Sequence, residues 1–273
     1  MSQELVIGTR RTVGARDVPW VFVSPRRVFS KVEDVTAYGW PLVLLLTATA
    51  LVGYAVVQTG LIDQQVYEQV AARKAELEQK QFDVVERSAL NLMLAEEDKR
   101  GEFTRMVSRS WVVGWKPLAS LLSILLASAI LYGVVALTGR KPEWHTLMTI
   151  CVFAGFVELA GSVFGLILMV SYGTLDVDLS ARLLTPWLAR ETGEAKLSAM
   201  VGHLVSGINP FRIWFWIVVC IGLSVTSQLR GWRAWVTCFL CFAVAAGTEG
   251  GVALGSAMSS QPAKASSVSV TVD

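Results

Sequence analysis

Two carboxylates lie inside long apolar stretches and are the first candidates for chemistry. Glu158 occurs in FVELAGSVFG and Glu249 in AAGTEGGVALG. An ionised carboxylate inside a bilayer is costly, so such acids are candidate proton or cation sites. Because no ion-coupling motif accompanies Glu158, we favour a structural tie between helices, with the carboxyl group protonated or hydrogen-bonded. Arg212 opens a later apolar stretch and is a candidate partner of Glu249, although a solvated Glu249 near the interface fits equally well.

The cysteines and histidines are poor candidates for a redox or metal site. Cys238-x-x-Cys241 has a redox spacing, but no basic residue lies beside it to stabilise a thiolate. His145 begins an apolar stretch, and His203 has no Cys, Asp or Glu at ligand spacing. The sequence contains no glycine-rich phosphate loop, nucleophile elbow or HExxH pattern. We therefore predict no catalytic residue, no cofactor and no metal, and a protein that is not an enzyme.

Glycines repeat every four residues in two apolar stretches, at Gly161 and Gly165 and at Gly247, Gly251 and Gly255. Small residues at this spacing let helix backbones approach closely in a membrane. Packing within the chain is the commoner outcome and dimerisation the less common one. The spacing does not identify the partner helix.

The composition identifies the solvent around these residues. Hydrophobic residues make up 53% of the 273 residues and charged residues 17%, with a mean hydropathy of +0.51. Soluble domains carry about 25% charged residues. The net charge of +2 argues against a nucleic-acid binder. A bilayer needs roughly 20 apolar residues in a helix, and five stretches qualify: about 40–58, 117–138, 146–172, 211–228 and 234–255.

These stretches predict an all-α polytopic membrane protein, a bundle of five transmembrane helices within residues 40–255. Residues 1–39 form a cytoplasmic N-terminal segment with a juxtamembrane helix, and residues 256–273 a flexible tail. With five spans, the N-terminal segment and the loops after the second and fourth spans share one side of the membrane, and together they carry 10 basic and 5 acidic residues. The segments on the opposite side carry 14 basic and 15 acidic residues. This bias places the N-terminus in the cytoplasm and the C-terminus outside.

The polar segment 61–110 is predicted to be an extracytoplasmic helical insertion of two or three amphipathic helices. We favour a solvated hairpin that caps the bundle, and the alternative is a docking surface for a partner. Two apolar stripes are expected, one with Val66, Val70 and Leu77, the other with Val85, Leu92 and Met93.

The N-terminal segment contains SPRRVFSKVED, in which Ser24 is a predicted helix cap and Pro25 the first helical residue. The apolar face of this helix is formed by Val28, Phe29 and Val32. We favour a plain juxtamembrane helix, with contact to anionic headgroups as the alternative. The candidate headgroup contacts are Arg26, Arg27 and Lys31.

Two motifs and the layout suggest a family. The first motif is SPRRVFSKVED followed by GWPLVLLL, and the second is NPFRIWFWIVVCIGLSVTSQ. The layout is five predicted spans after a short N-terminus. Together these features resemble the bacterial branch of the Yip domain family, which is named for binding Ypt/Rab GTPases in eukaryotes. The resemblance implies a membrane adaptor, since eukaryotic members act in vesicle traffic and bacterial relatives look like accessory subunits of macrolide-exporter (MacB) type ABC transporters. The polar insertion departs from eukaryotic members and argues against a Rab-type partner.

Three hypotheses follow. The first is a non-enzymatic accessory subunit of a MacB-like ABC exporter in the bacterial inner membrane. Its partners are the lipid bilayer and the transporter subunits, without nucleic acid, and a homo-oligomer is left open. The second is a small-solute or proton-coupled carrier that uses Glu158. The third is a membrane-shaping or lipid-binding protein that uses the basic N-terminal helix.

Overall fold

The computed structural model describes residues 13–32, 37–81, 87–175, 209–229 and 231–259. Every regular element in these ranges is a helix, and the described chain contains no β-strand. The all-α class predicted from the apolar stretches is therefore confirmed.

Residues 13–32 form a short helical strap ahead of the first long helix. It consists of a 3-10 turn (Ala15–Asp17), α1 (Val18–Val23) and α2 (Pro25–Phe29). Each helix has a proline in its first turn, where a missing N–H costs nothing. The predicted start at Pro25 is correct, but Ser24 makes no side-chain capping bond. Its backbone instead ends α1, since its N–H donates to the carbonyl of Trp20 (2.7 Å).

In the part of the chain that the structure describes, seven longer helices follow the strap. They are α3 (Gly39–Gln58), α4 (Leu61–Gln81), α5 (Arg87–Ser110), α6 (Lys116–Leu137), α7 (Trp144–Tyr172), α8 (Pro210–Val225) and α9 (Trp232–Ser259).

Three described helices are long and apolar enough to cross a membrane: α3, the continuous helix Ser88–Leu137 that ends with α6, and α7. They coincide with the first three predicted spans. The apolar helix α8 and the apolar first part of α9, Trp232–Gly247, are shorter. The 16 residues of α8 measure about 24 Å, less than the roughly 30 Å hydrocarbon core. A multi-pass helical membrane protein is thus established, and the count of five spans stays a prediction.

A π-helical turn, Trp111–Trp115, joins α5 to α6 without a break. The predicted boundary near residue 117 therefore falls inside one helix. Proline lacks an N–H, and its ring clashes with the carbonyl four residues earlier. The wider π turn directly before Pro117 accommodates this residue and lets the helix continue. The joined helix has 50 residues and is about 75 Å long, so α5 must project beyond the bilayer.

The most buried helix is α7. Every residue from Thr146 to Val157 is buried, and α3 and α6 both pack against this helix. Gly155 permits the close approach, because a Cβ there would lie 2.8 Å from Cδ2 of Leu45 and 3.3 Å from Cδ1 of Ile124. A larger residue would push both neighbouring helices away.

The chain divides into two compact units, Met1–Val177 with Trp214–Cys238, and Asp178–Ile213 with Phe239–Asp273. In the first unit, Gly222 of α8 meets α7, since a Cβ on Gly222 would lie 2.7 Å from Cγ2 of Ile150. The thiols of Cys220 in α8 and Cys238 in α9 are hydrogen-bonding neighbours. In the second unit the structure describes residues 209–213 and 239–259.

Candidate functional site

Three chain segments meet at the end of the bundle where α7 begins. They are the strap, the loop 138–143 after α6, and the turn that follows α8. Nη1 of Arg140 donates to the carbonyl oxygen of Ser227, and the ring of Tyr38 stacks on His145 with centroids 5.9 Å apart. The strap reaches the same end through contacts between α1 and α7. We call these segments the basic end, residues 13–32, 138–143 and 226–233. The described parts of these segments lie together, and the side of the membrane that they share stays a prediction.

A polar lock holds the two loops of the basic end together. The buried Gln228 donates from Nε2 to Oε2 of Glu143 (2.8 Å), and its Oε1 accepts the backbone N–H of Glu143 at 3.4 Å. Oγ1 of Thr146 also donates to Oε2 of Glu143 (3.0 Å). No sequence pattern predicts these bonds, because a glutamine at the end of an apolar stretch does not indicate that it will contact the loop that contains Glu143.

The strap packs on the bundle through its apolar inner face, and one ion pair joins its own two ends. Val21, Val28 and Phe29 are almost completely buried. Nζ of Lys31 donates to Oδ1 of Asp17 at 2.7 Å, so the strap's two ends are tied together. Burial raises the pKa of Asp17, but the bonds from Lys31 and from the N–H of Gly14 outweigh it and hold this pKa below its usual value.

The outer face of the strap combines arginines with exposed apolar side chains. Arg26 and Arg27 are both exposed. The guanidinium of Arg27 lies over the ring of Trp20, 5.1 Å from its centroid. Trp20 is 46% exposed and Val23 79% exposed. Of the three predicted headgroup contacts, two therefore lie on the outer face, whereas Lys31 is engaged with Asp17.

At the other end of α3, α4 and α5 pack into a two-helix hairpin. Gly101 allows close approach, since a Cβ there would lie 2.7 Å from Cγ2 of Val70. Nζ of Lys74 pairs with Oδ1 of Asp98 at 2.6 Å. Asp63 also binds two arginines of α5, Arg105 and Arg109. The helical content predicted for residues 61–110 is correct, with two helices packed on each other.

The predicted apolar stripes of the hairpin are only partly correct. Val66 is buried and Val70 and Leu77 are half-buried, as expected for an inner face. Leu92 and Met93 are exposed instead. Met93 lines an open groove together with Leu77 of α4, so it borders the contact between the two helices without being covered by it. Val85 lies outside the described residues.

An exposed apolar face begins in α5 and continues into the membrane span. Phe103 is 63% exposed and Met106 60% exposed. The exposed side chains continue through the π turn as Val107, Trp111, Trp115, Leu118 and Leu122. We call Phe103, Met106 and Val107 of this face the hairpin stripe. Its spacing of three and four residues is visible in the sequence, and this helical signal was overlooked.

Among the predicted carboxylate sites, Glu158 lies at the middle of α7 and is half-buried. Arg212 is half-buried in the first turn of α8. The side chain of Glu249 lies outside the described part of α9, and so its pairing with Arg212 stays a prediction.

The predicted glycine faces have different outcomes. Gly161 and Gly165 are both buried in α7. A Cβ at Gly247 would meet nothing within 4 Å, so no close helix contact is present at this residue. The surroundings of Gly251 and Gly255 lie outside the described residues. In the described residues tight contacts occur at Gly53, Gly101, Gly155 and Gly222, and none of these has another glycine four residues away.

The cysteines occupy apolar helices as predicted. Cys151, Cys220 and Cys238 are buried and Cys241 is half-buried, and none of the four forms a disulfide bond. His145 lies in the first turn of α7 and stacks on Tyr38, whereas His203 lies outside the described residues. Among the described residues, no group of three or more His, Cys, Asp or Glu side chains is placed to hold a metal ion.

Apolar helices long enough to span a bilayer, a basic end and a polar helical hairpin define a polytopic membrane protein with polar surfaces at the two ends of α3. A family model described as the Yip1 domain matches residues 21–248. This match covers most of the chain, and the chain belongs to the Yip1 domain family. Comparison with curated proteins and with solved structures gives no match.

Proposed function

We propose that this chain is a non-enzymatic membrane adaptor whose hairpin stripe binds an ABC exporter complex in the same membrane. In this proposal the protein lies in a bacterial inner membrane, with the basic end in the cytoplasm and the hairpin outside. The observation that carries the proposal is the exposed apolar stripe of α5, which continues into the exposed apolar side of α6.

The hairpin does not need the stripe for its own packing. Its inner face is closed by the Gly101–Val70 contact and by the Lys74–Asp98 pair. Phe103 and Met106 contribute little to this face, since more than half of each side chain is exposed. Contiguous exposed apolar residues outside a membrane are typical of protein interaction sites. Exposed Lys99 and Arg100 lie nearby, and a polar rim around an apolar centre is typical of interfaces.

Lipid alone does not account for the stripe. Trp111 and Trp115 stack with ring centroids 4.9 Å apart, and tryptophans commonly mark the membrane interface. Phe103 precedes Trp111 by eight residues, about 12 Å along the helix. The stripe therefore continues past the interfacial tryptophans while staying aligned with the lipid-facing side of α6. A partner anchored in the same membrane, with its own projecting part, matches this geometry.

The resemblance to bacterial Yip proteins supports the class of partner. Those relatives look like accessory subunits of MacB-type exporters, and such a role requires binding surfaces and no catalytic centre. A projecting helical hairpin is a suitable contact for the extramembrane part of an exporter.

The test is affinity purification of the tagged chain from its own host in mild detergent, with quantitative mass spectrometry. We expect an ABC exporter at a fixed stoichiometry. Phe103→Ser/Met106→Ser should lower its recovery at least fivefold, because the substitution removes the apolar centre of the contact. Tyr67→Ser is the matched control, since Tyr67 is 68% exposed on α4 and lies outside the stripe.

Recovery of the exporter with wild type and Tyr67→Ser, but not with the double variant, supports the proposal. Equal recovery with all three chains removes the hairpin stripe as the docking surface. Wild type recovered without an exporter, even after cross-linking in membranes, overturns the class of partner. Each variant is compared at equal membrane yield and equal elution volume.

A further inference from the structure

The outer face of the strap has no role in the hairpin contact, because it lies at the opposite end of α3. Its inner residues are buried, so the strap is held in a fixed orientation. That orientation directs Trp20, Val23, Arg26 and Arg27 outward. Exposed Trp and Val beside arginines on a short helical segment is a pattern typical of the membrane interface.

The charge of the strap favours an anionic surface. Residues 13–32 contain four basic residues, Arg16, Arg26, Arg27 and Lys31, and one acid, Asp17, which gives a formal charge of 4 − 1 = +3. Glu33 and Asp34 follow directly in the sequence and lower the formal charge of residues 13–34 to 4 − 3 = +1, and they lie outside the described residues. Within the described strap the one acid, Asp17, is bound to Lys31. A guanidinium binds phosphate through two parallel hydrogen bonds, and this makes arginine well suited to phospholipid headgroups.

The same pattern continues around the basic end. Trp40 at the start of α3 is exposed, as is Trp232 at the start of α9. Lys141 and Arg233 are also exposed beside them. Tryptophans and basic residues at one level of a helical bundle match the headgroup layer of a leaflet that contains anionic lipid.

We propose that the strap is a binding surface for anionic phospholipid, lying in the headgroup layer of the leaflet at the basic end. Trp20 and Val23 insert beside the acyl chains, and Arg26 and Arg27 bind headgroup phosphates. The stacking of Arg27 on Trp20 places the cation directly beside the inserted ring. The occupant is lipid because the 3-10 turn of the strap contacts α3, a membrane-spanning helix whose Trp40 and Val43 are exposed on a surface that the bilayer covers. Lys31 is not part of this surface, since it stabilises the strap internally.

The first experiment measures the depth of the strap. Val23→Cys, in a chain whose native cysteines are replaced, is labelled with an environment-sensitive fluorophore. The full chain is then reconstituted in nanodiscs of phosphatidylcholine with or without phosphatidylglycerol. We expect quenching by lipids that carry a nitroxide near the headgroup, and little quenching by aqueous iodide. Strong iodide quenching without lipid quenching would place the strap in water and overturn the proposal.

The second experiment measures lipid selectivity. Arg26→Gln/Arg27→Gln should lower the phosphatidylglycerol retained by the purified protein at least threefold. Arg73→Gln/Lys99→Gln makes the same charge change at exposed hairpin positions and should leave retention unchanged. Equal losses in both variants would mean that only net charge matters, and no loss in either would mean that the arginines do not bind headgroups. Both outcomes contradict the proposed surface. The exporter recovered with Arg26→Gln/Arg27→Gln should equal that of wild type, which keeps this inference separate from the hairpin proposal.

Discussion

Gly53 of α3 lies against the backbone of the π turn, and its replacement by alanine tests this close contact. A Cβ at this position would lie 2.5 Å from the carbonyl oxygen of Val112, 3.3 Å from its carbonyl carbon and 3.5 Å from Cα of Val113. All three atoms belong to the backbone of the π turn, so no side-chain rotation relieves the clash. The ordinary limit for a carbon–oxygen contact is about 3.3 Å, and the change Gly53→Ala therefore requires α3 and the π turn to separate by roughly 0.8 Å.

The magnitude follows from two opposing effects. Overpacking of this kind costs about 1–3 kcal/mol. Alanine also favours a helix over glycine by up to about 1 kcal/mol. A clash with backbone atoms that no rotamer change relieves falls in the upper part of that range, about 2–3 kcal/mol, so the net destabilisation is about 1–2 kcal/mol. For a chain of this size each kcal/mol lowers the melting temperature by about 2–4 °C, so the expected decrease is about 2–8 °C.

Two other glycines are matched controls. Gly133 of α6 has nothing within 4 Å of a Cβ, so Gly133→Ala should raise the melting temperature by up to about 4 °C through helix propensity. Gly155→Ala should fall between the two, because a Cβ there meets Leu45 and Ile124 through side-chain atoms that can rotate.

The assay is thermal unfolding of the three variants and wild type, purified in one detergent and followed by a thiol-reactive dye or by circular dichroism. The expected order of melting temperatures is Gly133→Ala, wild type, Gly155→Ala and Gly53→Ala. A Gly53→Ala protein that melts at or above wild type, while Gly133→Ala behaves as expected, would refute the close approach of α3 to the π turn.

Two further predictions follow from the ion pair of the strap and from the thiols of α8 and α9. The pKa of Asp17 is lowered below its ordinary 3.8 by Lys31. The ionised carboxylate therefore stabilises the docked strap above that pH, and the effect is lost as pH falls through the lower folded-state pKa. A fluorophore at Val23 should report unchanged docking from pH 7 to about 5 and loosening only below about pH 4, and an acid response that survives Asp17→Asn would point to another group. Because Cys220 and Cys238 are hydrogen-bonding neighbours, dibromobimane, which fluoresces when it joins two thiols, should label a chain that carries Cys151→Ser and Cys241→Ser. The same chain with Cys220→Ser added should not be labelled, and equal fluorescence from both would contradict the contact of Cys220 with Cys238.

The structure agrees with the sequence predictions wherever a property depends on consecutive residues. A run such as WPLVLLLTATALVGYAVVQ is apolar over a full bilayer thickness, and its boundaries in α3 differ from the prediction by one residue at most. The start of α2 at Pro25 was equally accessible, since the fixed φ of proline acts on its own residue. The glycine spacing did not predict the tight glycine contacts of the described residues. Gly247 has the expected spacing and no close neighbour, whereas Gly53 has a close neighbour and no spacing signal.

Hydropathy and helix propensity act over neighbouring residues. The amino-acid sequence therefore predicts an all-helical, multi-pass membrane protein with a polar helical segment after its first span. The contacts between residues far apart in the chain are visible only in the folded structure. The bond between Gln228 and Glu143 joins residues 85 positions apart, and the contact of Gly53 with Val112 depends on a π turn in another helix. Such contacts depend on the relative position and rotation of whole helices, which no local pattern specifies.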